Sequence, residues 1–253
     1  MNSSFLKNIS VHPDWNPFLS KEILDLILQI ESDISTNEFT PSSEKVLRFL
    51  EIPLSTVKVV IVGQDPYPQA GAATGRAFEV GILKSWSEPF RNVSLKNILR
   101  TLYKAYTGEI INYNKLKEKL DNEFPLLAPY KLFKHWEKQG ILLINTSFTC
   151  ELGIPGSHKK IWEKFSEELL NYINNTNVSI TWFLWGNHAI EATRNLNLNN
   201  KILSQHPMMC YKKEGRDTDF LFGKINCFEQ LINEIDWTGY NFSNKQTSAT
   251  TLF

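Results

Sequence analysis

The sequence predicts an α/β fold, a single domain with a central four-stranded parallel sheet flanked by helices. Three observations lead there. Residues 57–62, 141–144, 180–185 and 201–203 form short apolar runs rich in β-branched side chains. Runs of that kind suit strands buried on both faces, as parallel strands under helices are. Segments of helical periodicity separate the runs, so crossover connections are available. The composition is that of an ordinary globular chain: of 253 residues, 42% are hydrophobic and 21% charged, enough to form a sizeable core.

The helices follow in order. Ile23, Ile27, Ile30 and Ile34 share one face of a helix over residues 21–34, with Ser20 as its N-cap. Thr40-Pro41 opens a second, with proline at the first helical position and Val46, Leu47 and Leu50 on one side. Ser94 caps a third, which runs through Lys104 and is closed by Gly108. A fourth covers residues 130–139 and stops at Gly140, and a long amphipathic helix follows Ser157 and reaches Ile173. Asn226 with Glu229 three residues on makes a capping-box pattern before Leu231 and Ile235. No repeat and no Gly/Ser/Pro-rich linker divides the chain, so one domain is expected over residues 1–240, followed by a flexible polar tail over 241–253.

Composition also excludes function classes. The 27 Lys+Arg balance 27 Asp+Glu, which argues against a protein that coats nucleic acid by bulk charge but leaves room for a local basic groove. No apolar run reaches the roughly 18 residues a membrane span needs. The N-terminus lacks a basic stretch followed by an apolar core, so no secretory signal and a cytoplasmic (in a eukaryote, nuclear) monomer are expected. Cys150, Cys210 and Cys227 include no CxxC pair, and the five histidines include no HExxH, so neither metal nor cofactor is expected.

The strand ends carry the chemistry. They read Gly63-Gln64-Asp65, Asn145-Thr146-Ser147, Gly186-Asn187-His188 and Ser204-Gln205-His206-Pro207. In open α/β sheets ligands bind outside the carboxyl ends of the strands. An acid, an amide and an imidazole delivered there by separate strands point to a site.

The segment GQDPYPQAGAATGRAFEV, residues 63–80, resembles the water-activating loop of the family 1 uracil-DNA glycosylases. VSLKNI, LLINTSFT, GSHKKIWEKF, FLWGNHA, the pair His206-Pro207, LFG and EIDW are similar to further motifs of that family in the same order, over about residues 12–237. The resemblance implies that Asp65 orients or activates the water that attacks the sugar. A carboxylate there would steady an oxocarbenium-like sugar and accept a proton. It implies that backbone amides at Gln64 approach uracil O2, that Tyr67 stands against C5 and excludes thymine, and that Phe78 stacks on the flipped base. Asn145 would read O4 and N3–H, a pattern cytosine does not offer. His206 would donate to O2 as charge develops on the leaving base. Ser94, Gly186 and Asn187 fall where the family contacts DNA phosphates. His158 and His188 lie in other family motifs and read as structural or DNA-facing.

Two departures stand out. Pro68 replaces a histidine usual in the family. The family pattern His-Pro-Ser-Pro-Leu becomes His206-Pro207-Met208-Met209-Cys210, with Cys210 at the duplex-wedge position and Met209 as a substitute wedge. The expected function is therefore uracil excision from DNA. The alternative is a catalytically weak DNA-binding or replication-accessory protein of the same fold. Retention of Asp65, Phe78, Asn145 and His206 argues against it. A glycosylase for another damaged base is disfavoured by Tyr67 and Asn145. The tail ends in Leu252-Phe253, which resembles peptides that dock on sliding clamps.

Overall fold

A computed structural model of the chain describes residues 3–34, 37–120 and 122–241. The tail pair Leu252-Phe253 lies outside the described residues. Helix α1 (Lys21–Ile34) buries Ile23, Ile27, Ile30 and Ile34, the stripe its periodicity predicts. Strand β1 (Phe39–Thr40) follows, then the single turn α2 (Ser43–Val46). The expected helix start at Pro41 is displaced: Ser42 is the N-cap, and the apolar side chains beyond are carried by a 3-10 turn, Arg48–Glu51. Strand β2 (Val59–Gly63) is buried throughout.

Helix α3 (Val93–Thr107) is capped by Asn92, so Ser94 sits inside its first turn rather than at the cap. Gly108 closes it in the left-handed conformation and donates its N–H to Lys104 O at 2.8 Å. Then come α4 (Tyr113–Lys119), α5 (Pro129–Lys138), β3 (Ile141–Asn145) and β4 (Cys150–Glu151). Helix α6 (Lys159–Thr176) is capped by His158; Ser157 is occupied elsewhere, its Oγ accepting from Glu151 N. Strand β5 (Thr181–Trp185), α7 (Asn187–Ala192), β6 (Asn200–Ser204) and α8 (Cys227–Gln230) complete the order. Asn226 caps α8 as expected, through Oδ1, but the helix lasts one turn.

The four expected strands form one sheet in the order β3-β2-β5-β6, with β2 parallel to both β3 and β5. Gly63 pairs with Asn145, so those two strand ends are level. A two-residue antiparallel ladder, β1 with β4, was not legible in the sequence. Among the described residues no helix is long and apolar enough to cross a membrane.

Contacts divide the chain into two compact units. The first comprises Met1–Leu83 and Glu137–Leu203. Its core packs Phe148 and Phe165 against Trp162, with Phe148 and Trp162 ring centroids 5.0 Å apart, and Phe18 against Phe165. The second comprises Lys84–Trp136 and Ser204–Phe253. There Trp237 packs edge-on to both Trp136 and Phe228, and both indole N–H groups donate to backbone carbonyls. Burying an aromatic side chain of this size contributes about 1.5–3 kcal/mol. Satisfying its N–H avoids the penalty for a buried polar group.

Candidate active site

In the first unit the loop after β2 is bound to the segment after β3. Thr146 N donates to Gly63 O at 3.1 Å and Ser147 N to Gln64 O at 2.8 Å. Gly153 N donates to Pro68 O at 2.9 Å. These backbone bonds and two prolines, each with fixed φ, hold the Gln64–Asp65–Tyr67 stretch in place. Asp65 is half-buried, and its Oδ2 accepts the Gly156 N–H at 2.6 Å. Burial outweighs that bond and lifts the carboxyl above its ordinary range, making the ionised form a stronger base.

Asn145 is buried, 7% exposed, at the end of β3. Its carboxamide lies across the level end of β2, where only a residue without a side chain leaves room. A Cβ on Gly63 would stand 2.2 Å from Asn145 Oδ1. Phe78 packs its ring 5.2 Å from that of Trp185, the last residue of β5. Its backbone φ is +66°, and its carbonyl accepts the Tyr67 hydroxyl at 3.5 Å. Gln64, Asp65, Tyr67, Phe78 and Asn145 all belong to this unit. Gly186 is the N-cap of α7, with φ +90°, and Asn187 is exposed at its first position.

Both extra histidines are held by hydroxyls. His188 Nε2 lies 2.6 Å from Thr146 Oγ1, which donates to Gln64 O. His158 is buried, with Nδ1 2.9 Å from Thr149 Oγ1, and burial lowers its pKa. The Trp162 indole donates to the same Thr149 oxygen. His158 thus has a structural role in the first unit.

In the second unit His206 follows β6. Its Nδ1 accepts the backbone N–H of Met208 at 3.1 Å. That bond requires an unprotonated Nδ1, so the ring proton sits on Nε2. Burial lowers the pKa, which keeps the imidazole neutral at pH 7. Pro207 O accepts from Asn97 Nδ2 at 2.7 Å and from the Cys210 thiol at 3.2 Å. Cys210 is therefore turned inward, its thiol pushed up to about 12 by burial, while Met208 and Met209 are 58% and 53% exposed.

Ser94 is half-buried in the first turn of α3. The loop before it has one proline, Pro89, and is braced by rings instead. Phe90 and Tyr113 meet edge-on at 5.3 Å, with Lys96 Nζ over both.

The sequence profile of the uracil DNA glycosylase superfamily matches residues 49–234. Uracil-DNA glycosylase 1 of Listeria monocytogenes is 32% identical over 234 residues, covering 88% of this chain and 96% of the relative. The chain belongs to the uracil-DNA glycosylase superfamily. Uracil-DNA glycosylase of Mesomycoplasma hyopneumoniae is also 32% identical, over 84% of this chain and 89% of its own. Among solved structures of the superfamily, the UNG of Nitratifractor salsuginis aligns with a TM-score of 0.64 at 25% identity. That alignment covers 81% of this chain and 87% of the other. Mimivirus uracil-DNA glycosylase shares the fold, with a TM-score of 0.67 over 96% of this chain and 88% of its own, at 22% identity.

Four features of this superfamily member escaped sequence reasoning. They are the cradle at Gly63, the Gly156 donor to Asp65, Trp185 beneath Phe78, and the charges flanking Phe78. The last had a visible signal. Arg76 and Glu79 stand three apart within an otherwise mostly apolar stretch, Ala72 to Val80.

Proposed function

We propose that this chain is a monofunctional uracil-DNA glycosylase that initiates base excision repair. The observation that carries the reading is the pairing of a base-raised carboxylate, Asp65, with a carboxamide, Asn145, at adjoining strand ends of one unit. Uracil leaves the duplex and stacks on Phe78. The Asn145 amide donates to O4 and accepts from N3–H; cytosine would leave both groups unpaired, at about 1–3 kcal/mol each. Tyr67 closes the C5 side. As the C1′–N1 bond breaks, its electron pair goes to the base, and the neutral His206 donates a hydrogen bond to O2. Gln64 contributes backbone amides near the same oxygen. Water adds to C1′ and gives up its proton with the help of Asp65, leaving an abasic site and free uracil. No cofactor takes part.

Ser94, Gly186 and Asn187 contact phosphates. Met209, with Met208, takes the wedge role, because the Cys210 thiol is bound to Pro207 O. The reaction belongs in the cytoplasm, where the three cysteines, none in a disulfide, stay reduced. The test is incubation with a uracil-containing oligonucleotide in EDTA. Alkali-labile breaks at uracil support the reading; binding without cleavage overturns it in favour of an accessory DNA-binding role.

A further inference from the structure

Phe78 has a φ of +66°, a region that a bulky residue seldom enters. Such a conformation persists only where the surroundings over-determine it. Buried charges lie two residues before it and one after. Arg76 and Glu79 side chains are only 8% and 6% exposed, and Arg76 donates to Glu79 Oε2 at 2.9 Å. The other guanidinium arm donates to Glu137, whose Oε2 is also 3.5 Å from Arg48. Arg48 in turn donates to Thr74 O at 3.3 Å, and the Arg76 backbone N–H to Thr74 Oγ1 at 3.2 Å.

A buried network of this kind is a poor source of net stability. Four charged groups leave water, and the Nε atoms of Arg48 and Arg76 are buried with no hydrogen-bond partner. What it supplies is geometry. The 2.9 Å contact between residues 76 and 79 is made across a turn of the two residues between them, Ala77 and Phe78. The positive φ of Phe78 is part of that turn. Opening the turn would strand a buried charge, which is strongly unfavourable.

We propose that the Arg76–Glu79 pair, anchored by Glu137 and Arg48, is a positioning device that locks Phe78 in its left-handed conformation. The ring is thereby set against Trp185 as a platform before any base arrives. Arg76 and Glu79 are positioning residues and touch no substrate. The inference rests on the reading of Phe78 as the stacking ring.

The measurement is inhibition by free uracil during cleavage of a single-stranded uracil oligonucleotide, which reports stacking without duplex opening. Each variant is assayed well below its own Tm. Glu79→Gln is expected to raise the inhibition constant about tenfold, or ~1.4 kcal/mol, with a smaller change in kcat. A purely structural pair would lower Tm and leave that constant alone, and this result overturns the proposal. If Glu79→Gln does not fold, the double variant Arg76→Met, Glu79→Met decides, since it removes both charges and keeps apolar volume. The double variant should regain Tm and still bind uracil weakly; normal inhibition in it overturns the proposal. Phe78→Ala separates the two readings. An unchanged inhibition constant there sinks the stacking role itself. A raised constant in Phe78→Ala with normal constants in the brace variants sinks only the brace.

Discussion

Gly63→Ala adds one carbon at a crowded point of the first unit, against the Asn145 carboxamide. Gly63 does not have a positive φ, so alanine fits its backbone and the effect is steric alone. The new Cβ would meet Asn145 Oδ1 at 2.2 Å and Ala77 Cβ at 2.9 Å. Ordinary contacts of that kind need more than about 3 Å, so the carboxamide must retreat by about 1 Å. A misplacement of that size costs on the order of 100-fold in rate, or about 2.7 kcal/mol. The assay is single-turnover release of uracil from a single-stranded oligonucleotide, with Tm checked beside it. The expected outcome is a loss near 100-fold. In an Asn145→Ala background the same substitution should cost little, because the displaced group is gone. Activity within threefold of wild type, or a loss that adds in full to that of Asn145→Ala, would refute the cradle argument.

Asp65→Asn should lower single-turnover cleavage at least 100-fold, about 2.7 kcal/mol, and raise Tm, because burial penalises the ionised carboxylate; a lower Tm contradicts the environment assigned to Asp65. Its raised pKa also sets the acid limb. In kcat/KM the limb should lie above the ordinary value of 3.8, activity being lost as pH falls through the raised pKa, and should vanish from the residual rate of Asp65→Asn. The lowered pKa of His206 adds no break above 6.5, so a break there that persists in Asp65→Asn contradicts the neutral imidazole. Met208→Ala with Met209→Ala should cut duplex cleavage at least tenfold, ~1.4 kcal/mol, and spare single-stranded cleavage; equal losses on both substrates argue against a wedge. Tyr67→Ala should release thymine from ordinary DNA, read by chromatography of the free base, and retained uracil release with no thymine places the C5 barrier elsewhere.

Much of the fold was readable because buried parallel strands have near-continuous apolar runs. Val59 to Val62 and Ile141 to Ile144 needed no partner to be recognised. Helix limits were harder. Ser94 has the chemistry of a cap, yet Asn92 occupies the position, and Pro41 precedes a helix it does not enter. Asp65, Asn145 and His206 were legible as polar residues at strand ends within ordered motifs. Their electrostatic settings were not. The Gly156 N–H that meets Asp65 comes from 91 residues away, and no local pattern records it.

The same distinction applies to Arg76. Its partner Glu137 is 61 residues away, and only the fold brings the two together. Once paired and buried, that guanidinium is withdrawn from the DNA surface. A site of this kind then separates two demands on its charges. Asp65 keeps a carboxylate whose burial is only partly offset, by one backbone bond, and this raises its basicity. Arg76 and Arg48 are balanced by Glu79 and Glu137, and so these charges can lie next to Phe78, the stacking ring of the proposed reading, without drawing water or phosphate to it. On the proposed reading, reactivity follows from incomplete compensation at Asp65, and rigidity from mutual compensation around Phe78.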